Sequence, residues 1–130
     1  MKTTTEVGKY GESVACFYLR KNKYKIVEQN YHSSHNEIDI IAENKQYIVF
    51  VEVKTRSCRP DRELTFGTPA SAVTQSKQRR TLEAAQAYLL EHPTTKSPRL
   101  DVIEIYLSKS FDGSPVEVLK INHIEDAFSY

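Results

Sequence analysis

The chain predicts an α/β or α+β domain of element order αβββαβ, built on a mixed central sheet flanked by helices. Three observations carry that expectation. Apolar residues near the N-terminus recur at helical spacing, three runs rich in β-branched residues follow with short breaks, and a second amphipathic helix precedes a nearly all-apolar run at 99–107. The 130 residues suit one domain over 1–130, and a chain of that length buries roughly two thirds of the surface it exposes when unfolded.

Val7, Tyr10, Val14, Phe17 and Tyr18 give one apolar face to a helix over 6–20. Thr5 is placed to cap its start, and Lys21-Asn22-Lys23 supplies cations near its C-terminal end. Strands are expected over 24–31, 36–43 and 46–55. The stretch 57–70 holds two prolines, Gly67 and clustered charges without periodicity, so it reads as a loop. Connections longer than about 12 residues are usually functional or mobile. A second helix over 71–91 has Val73, Leu82, Ala85, Tyr88 and Leu89 on its apolar side, and His92-Pro93 stops it. Residues 99–107 read as a buried strand and 116–121 as a shorter one after the Asp112-Gly113 turn, with a final helical turn over 124–128. Short early connections favour antiparallel pairing, whereas the long crossover through the second helix favours a parallel return of the fourth strand.

Cys16 and Cys58 lack metal-ligand spacing and fit a reducing compartment. No run reaches the ~18 apolar residues of a membrane span, and no apolar signal region follows the first lysine. A cytoplasmic protein without membrane contact is expected. Eighteen Lys and Arg nearly balance 17 Asp and Glu, but the cations are segregated. Residues 54–80 hold Lys54, Arg56, Arg59, Arg62, Lys77, Arg79 and Arg80 against only Asp61 and Glu63. Such a run is either a solvated face or a phosphate-binding track.

The second and third strands carry the chemistry. Period-two alternation sets Glu37, Asp39 and Ile41 on one face and Ile38, Ile40 and Ala42 on the other. In the third strand Ile48, Phe50, Glu52 and Lys54 share a face opposite Val49, Val51 and Val53. Pairing the wholly apolar faces side by side requires an odd pairing sum. Sums of 89 and 91 both qualify, with two-residue loops at Asn44-Lys45 or Lys45-Gln46. Either register gathers Glu37, Asp39, Glu52 and Lys54 at one end of a face. Carboxylates this close repel by roughly 2 to 3 kcal/mol per pair at an effective dielectric near 20. Lys54 can offset one charge, and a Mg²⁺ or Mn²⁺ ion, which takes hard oxygen ligands, can offset two. The alternative is a cross-strand ion-pair ladder, although Ile41, Ile48 and Phe50 on that face imply a covering helix and partly buried charge.

The Asp39, Glu52, Lys54 arrangement resembles the PD-(D/E)-x-K nuclease signature, and the αβββαβ order resembles the restriction-endonuclease-like core. More narrowly, Gly11-Glu12, Glu37-Ile38-Asp39-Ile40-Ile41-Ala42, Val49-Phe50-Val51-Glu52-Val53-Lys54-Thr55-Arg56, Phe66-Gly67, Ala72-Val73, Lys77, Ala87-Tyr88-Leu89 and Asp101-Val102-Ile103 resemble the YraN family. That group of small bacterial proteins is related to archaeal Holliday-junction resolvases. Asn36 departs from it, standing where the family shows Gly. The resemblance implies that Asp39, Glu52 and the Val53 carbonyl hold Mg²⁺ (or Mn²⁺), that Lys54 orients or activates water, and that Glu12 completes the catalytic set. It implies a Mg²⁺-dependent endonuclease acting on DNA, with branched or repair intermediates among its substrates.

Arg56, Arg59, Arg62, Lys77, Arg79 and Arg80 follow directly and are the expected nucleic-acid-binding residues. DNA is the expected partner, no membrane is, and a homodimer is left open. A non-catalytic nucleic-acid-binding module and a protein-docking module that keep the fold are the alternatives. His32 and His35 read as an exposed loop pair, and Asp101 as structural or supporting.

Overall fold

The structure, a computed structural model, describes residues 4–58, 75–108 and 116–128. Helix α1 (Thr4–Lys21) begins one residue before Thr5, so the helix start lies earlier than expected. Of the expected apolar stripe, Val7, Tyr10, Val14 and Tyr18 pack partly buried against the core. Gly11, Ala15 and Leu19 form the buried spine with Cys16, whereas Phe17 is 62% exposed. The helix needs small residues there because it lies hard against a strand. A Cβ on Gly11 would stand 2.0 Å from Thr55 Oγ1. The helix ends in a Schellman turn: Tyr24 N donates to Leu19 O and Lys23 N to Arg20 O, with Lys23 at φ 71° in the place glycine usually takes.

Strands β1 (Lys25–Ser33), β2 (Asn36–Glu43), β3 (Tyr47–Cys58), β4 (Ser97–Ser108) and β5 (Val118–Ile124) form one sheet whose spatial order is the chain order. Only β3 and β4 pair in parallel, joined through α2 (Gln75–Glu91), as the long crossover predicts. The β2–β3 register joins Ile40 to Val51, Ile41 to Phe50 and Ala42 to Val49, which is the sum-91 alternative. Asn44 selects it by accepting the Gln46 and Tyr47 amides at 2.9 and 2.7 Å across the Lys45-Gln46 turn. His32 and His35 are exposed, and Asn36 opens β2.

Both faces of the sheet are covered, so its central strands are apolar on both sides. Against α1 pack Ile40, Ala42, Val49, Val51, Ile103 and Ile105; against Ala84, Ala85 and Tyr88 of α2 pack Ile38, Ile41, Ile48, Phe50 and Leu100. Ile38 thus joins Ile41 and not Ile40, so the expected two-residue alternation of β2 breaks at Asp39. The expected helical turn over 124–128 is absent. Ile124 ends β5, and Asp126, at φ 52°, turns the chain so that its amide donates to Asp101 at 3.0 Å.

Asp101 anchors this end of the fold. Fully buried, it accepts Arg99 Nε and Nη2 at 2.9 Å each and lies 2.6 Å from His123 Nε2. Arg99 also donates to the Tyr24 hydroxyl, and the Tyr18 hydroxyl sits 3.0 Å from His123 Nδ1. Burial pushes the Asp101 carboxyl up, but His123, Arg99 and the Asp126 amide outweigh it and hold the group below its usual range. Asp101 is therefore a structural anchor. Among the described residues no helix is long and apolar enough to cross a membrane.

Candidate active site

The β2–β3 ladder runs only as far as Ile40 and Val51. One residue beyond, Asp39 replaces a ladder bond with its side chain, accepting the Val53 amide on Oδ2 at 2.8 Å. The carboxylate is drawn into the gap between the strands, which accounts for the broken alternation. Glu52 comes to the same place from β3, with its side chain only 6% exposed. Burial first, and then the Glu52 charge, push the Asp39 carboxyl up to about 7, against the opposing pull of the Val53 amide and Lys77.

Helix α1 supplies the third carboxylate. The close approach permitted by Gly11 sets the next residue, Glu12, at an open pocket of about 470 Å³ that Asp39, Glu52, Val53 and Thr55 also line. Burial, then the charges of Asp39 and Glu37, raise the Glu12 carboxyl. Asn30 on β1 ties this edge together. With its amide nitrogen facing the carboxylates, it donates to Glu12 Oε1 at 3.1 Å and to Glu37 Oε1 at 3.0 Å. Asn30 sits at φ 53°, a conformation that asparagine adopts more readily than most residues.

Two lysines meet the carboxylates from the other side. Lys54 Nζ lies 3.7 Å and Lys77 Nζ 3.4 Å from the same Glu52 oxygen, one carried by β3 and the other by the first turn of α2. Among the described residues no three His, Cys, Asp or Glu side chains converge into a complete metal shell. The protein donors that fit a cation here are two hard carboxylates, Asp39 and Glu52, with the Val53 carbonyl. Such a set leaves room for water and suits Mg²⁺ or Mn²⁺. Its fit rests on the crowding of buried like charge at Asp39, which a cation would relieve.

The model of the family described as "Uncharacterised protein family UPF0102" matches residues 11–105. The chain belongs to the UPF0102 (YraN) family. A UPF0102 protein of Caldanaerobacter subterraneus subsp. tengcongensis is 42% identical over 94% of this chain and 93% of its own length. One of Chloroherpeton thalassium is 41% identical over 98% and 97%, and one of Clostridioides difficile 39% over 95% and 96%. The UPF0102 match contains Glu12, Asp39, Glu52, Lys54 and Lys77 and ends inside β4. The five-stranded mixed sheet with two helices is compatible with a restriction-endonuclease-like core.

The structure thus brings Glu12, Asp39, Glu52, Val53 and Lys54 of this UPF0102 protein together. Of the basic run, Lys77 is half-exposed and turns its ammonium to the carboxylate site. Arg56 is turned by its Nε toward Glu104, at 3.3 Å, while its side chain stays 45% exposed. Glu104, buried on β4, also accepts Asn122 Nδ2 at 2.8 Å. Arg79 and Arg80 are exposed on α2, and Arg59 and Arg62 lie outside the described residues. Sequence reasoning missed Asn30 and Glu104. Only the residue type of Asn30, suited to a positive φ, hinted at its place.

Proposed function

We propose that this UPF0102 protein is a Mg²⁺- or Mn²⁺-dependent endonuclease that hydrolyses phosphodiester bonds in DNA, with branched or repair intermediates as its favoured substrates. The observation that carries the proposal is the pairing of Asp39 with Glu52 at the split end of the β2–β3 ladder, beside Lys54 and within one pocket with Glu12.

Asp39, Glu52 and the Val53 carbonyl would hold the cation, which supplies charge neutralisation at the phosphodiester and a more acidic water. The remaining work belongs to the chain. The Val53 amide fixes one oxygen of Asp39 and so sets the direction of the other. Lys54, two residues beyond Glu52 on the same face, brings an ammonium to the reacting phosphate, where it stabilises the charge that builds in the transition state. Glu12, its carboxyl raised by burial and by its acidic neighbours, is placed to orient water and hold a proton. Arg56, Arg79 and Arg80, all exposed, are the cations assigned to the flanking phosphates.

Incubation with duplex, single-stranded, flapped and four-way DNA in Mg²⁺ and in Mn²⁺ tests the proposal. Cleavage is expected in wild type and absent in Asp39→Ala and Glu52→Ala. Lys54→Ala should lose rate by about 100-fold or more while its DNA affinity changes by less than about threefold, because its contribution is to the transition state. Equal losses of affinity and rate would make Lys54 an electrostatic contact only. Binding without hydrolysis across the panel would leave a nucleic-acid-binding module.

A further inference from the structure

Glu52 Oε1 is claimed twice, by Lys54 at 3.7 Å and by Lys77 at 3.4 Å. The same carboxylate is the one assigned above to a divalent cation. Two ammonium groups and a divalent ion cannot share so enclosed a carboxylate, since like charges at contact distance repel strongly where water is scarce. Lys54 and Lys77 are about equally exposed, at 35% and 36%, and what separates them is the element that carries each: Lys54 extends from β3, the strand that also carries Glu52. Lys77 instead stands in the first turn of α2, the helix on which Arg79 and Arg80 are exposed, so its four-carbon stem can leave Glu52 for a phosphate held by that helix.

We propose that Lys77 and the divalent cation are alternative partners of Glu52, and that binding of the cation transfers the Lys77 ammonium to a DNA phosphate. The inference rests on the metal-dependent reading above. The exchange makes cation and DNA binding cooperative through one side chain, and by linkage DNA tightens the cation as much as the cation tightens DNA.

Two readouts, neither of them cleavage, test this on the full chain. First, Mn²⁺ affinity is measured by thermal shift for wild type, Lys77→Met, Lys77→Arg and Arg79→Met. Lys77→Met should bind Mn²⁺ about tenfold more tightly, because the competing ammonium is gone, while Lys77→Arg stays near wild type. Arg79→Met, which removes an exposed cation from the same helix, should change it by less than about twofold. Second, duplex DNA affinity is measured against salt with and without Ca²⁺. In wild type Ca²⁺ should steepen the log–log slope by about 0.9, one further phosphate contact, and in Lys77→Met it should not. Lys77→Met binding Mn²⁺ no more tightly than Arg79→Met, or keeping the Ca²⁺-induced change of slope, overturns the exchange alone. A wild type with neither a Mn²⁺ shift nor DNA binding removes the metal-dependent reading and the exchange with it.

Discussion

Burial and the Glu52 charge push the Asp39 carboxyl up to about 7, far above the ordinary carboxyl range. A carboxyl raised on folding stabilises the fold below its unfolded value and loses that contribution as pH rises through the folded one. For Asp39 the window runs from about pH 4 to pH 7, so the cation-free protein should lose stability across it as pH increases. Asp39→Asn keeps an acceptor for the Val53 amide and has no charge to suppress. It should flatten that part of the pH profile and raise stability at pH 8 by roughly 1 to 2 kcal/mol, or about 3–8 °C in melting temperature. A melting temperature at pH 8 unchanged or lowered by the substitution would contradict the assignment. Asn30 allows a second measurement at this scale. Glycine adopts φ 53° freely, so Asn30→Gly removes the amide without straining the turn. With Glu12 and Glu37 released from their shared donor, the proposed cleavage should fall by about tenfold while the melting temperature moves by only a few degrees. Full activity in that variant would mean that Glu12 needs no clamp.

Between elements, the decisive contact is that of α1 with β3. Glu12 reaches the pocket because Gly11 lets the helix axis approach Thr55, whose branched side chain is stiff in a strand. Gly11→Ala places a methyl 2.0 Å from Thr55 Oγ1 and should destabilise the protein by about 1 to 3 kcal/mol, with Thr55→Ala restoring part of the loss. Gly8, one turn earlier on α1, is the contrast, since a Cβ there meets nothing within 4 Å. Gly8→Ala should stabilise the helix by up to about 1 kcal/mol through propensity alone. Chemical denaturation of the two variants measures the pair, and a destabilised Gly8→Ala or a neutral Gly11→Ala would show that α1 sits differently. The sequence announced the helix and the flanks of this face, Val7, Tyr10, Val14 and Tyr18, but not its centre. Phe17 belonged to the apolar periodicity and is outside, while glycine and alanine, which carry little hydrophobic signal, form the contact.

At the scale of the molecule, the sheet was the most legible part. The β2–β3 register was narrowed to two candidates by pairing apolar faces, and the parallel return of β4 followed from the length of its connection. Asp39, Glu52 and Lys54 could be placed near one another for the same reason: period two and a two-residue turn fix strand geometry closely. What remained hidden depended on relations between distant elements. The break at Asp39 arises where the ladder ends and the side chain takes over a backbone bond, which alternation cannot foresee. Lys77 read as one cation in a basic run because nothing in the sequence sets the rotation of α2 relative to β3. Glu104 was hidden within an apolar run whose register against β3 sets it beside Lys54 and Arg56.

The last strand shows what the sheet needs beyond its pocket. Strand β4 is buried along almost all of its length, and only the short, half-exposed β5 separates its far side from solvent. Lys120 puts a charge on β5 of the kind with which proteins blunt sheet edges against self-association. His123 and Asp126 also fasten it through Asp101 to residues as far away in the chain as Tyr18. A chain cut after Ser108 would retain Glu12, Asp39, Glu52, Lys54 and Lys77, yet it would present β4 as a long apolar template for other copies. It should partition into aggregates during expression, whereas the intact chain stays monodisperse by light scattering. A soluble, monodisperse cut chain would show that β4 protects its own edge. By this reasoning β5 acts as a guard against self-templating, a task separate from any chemistry in the pocket.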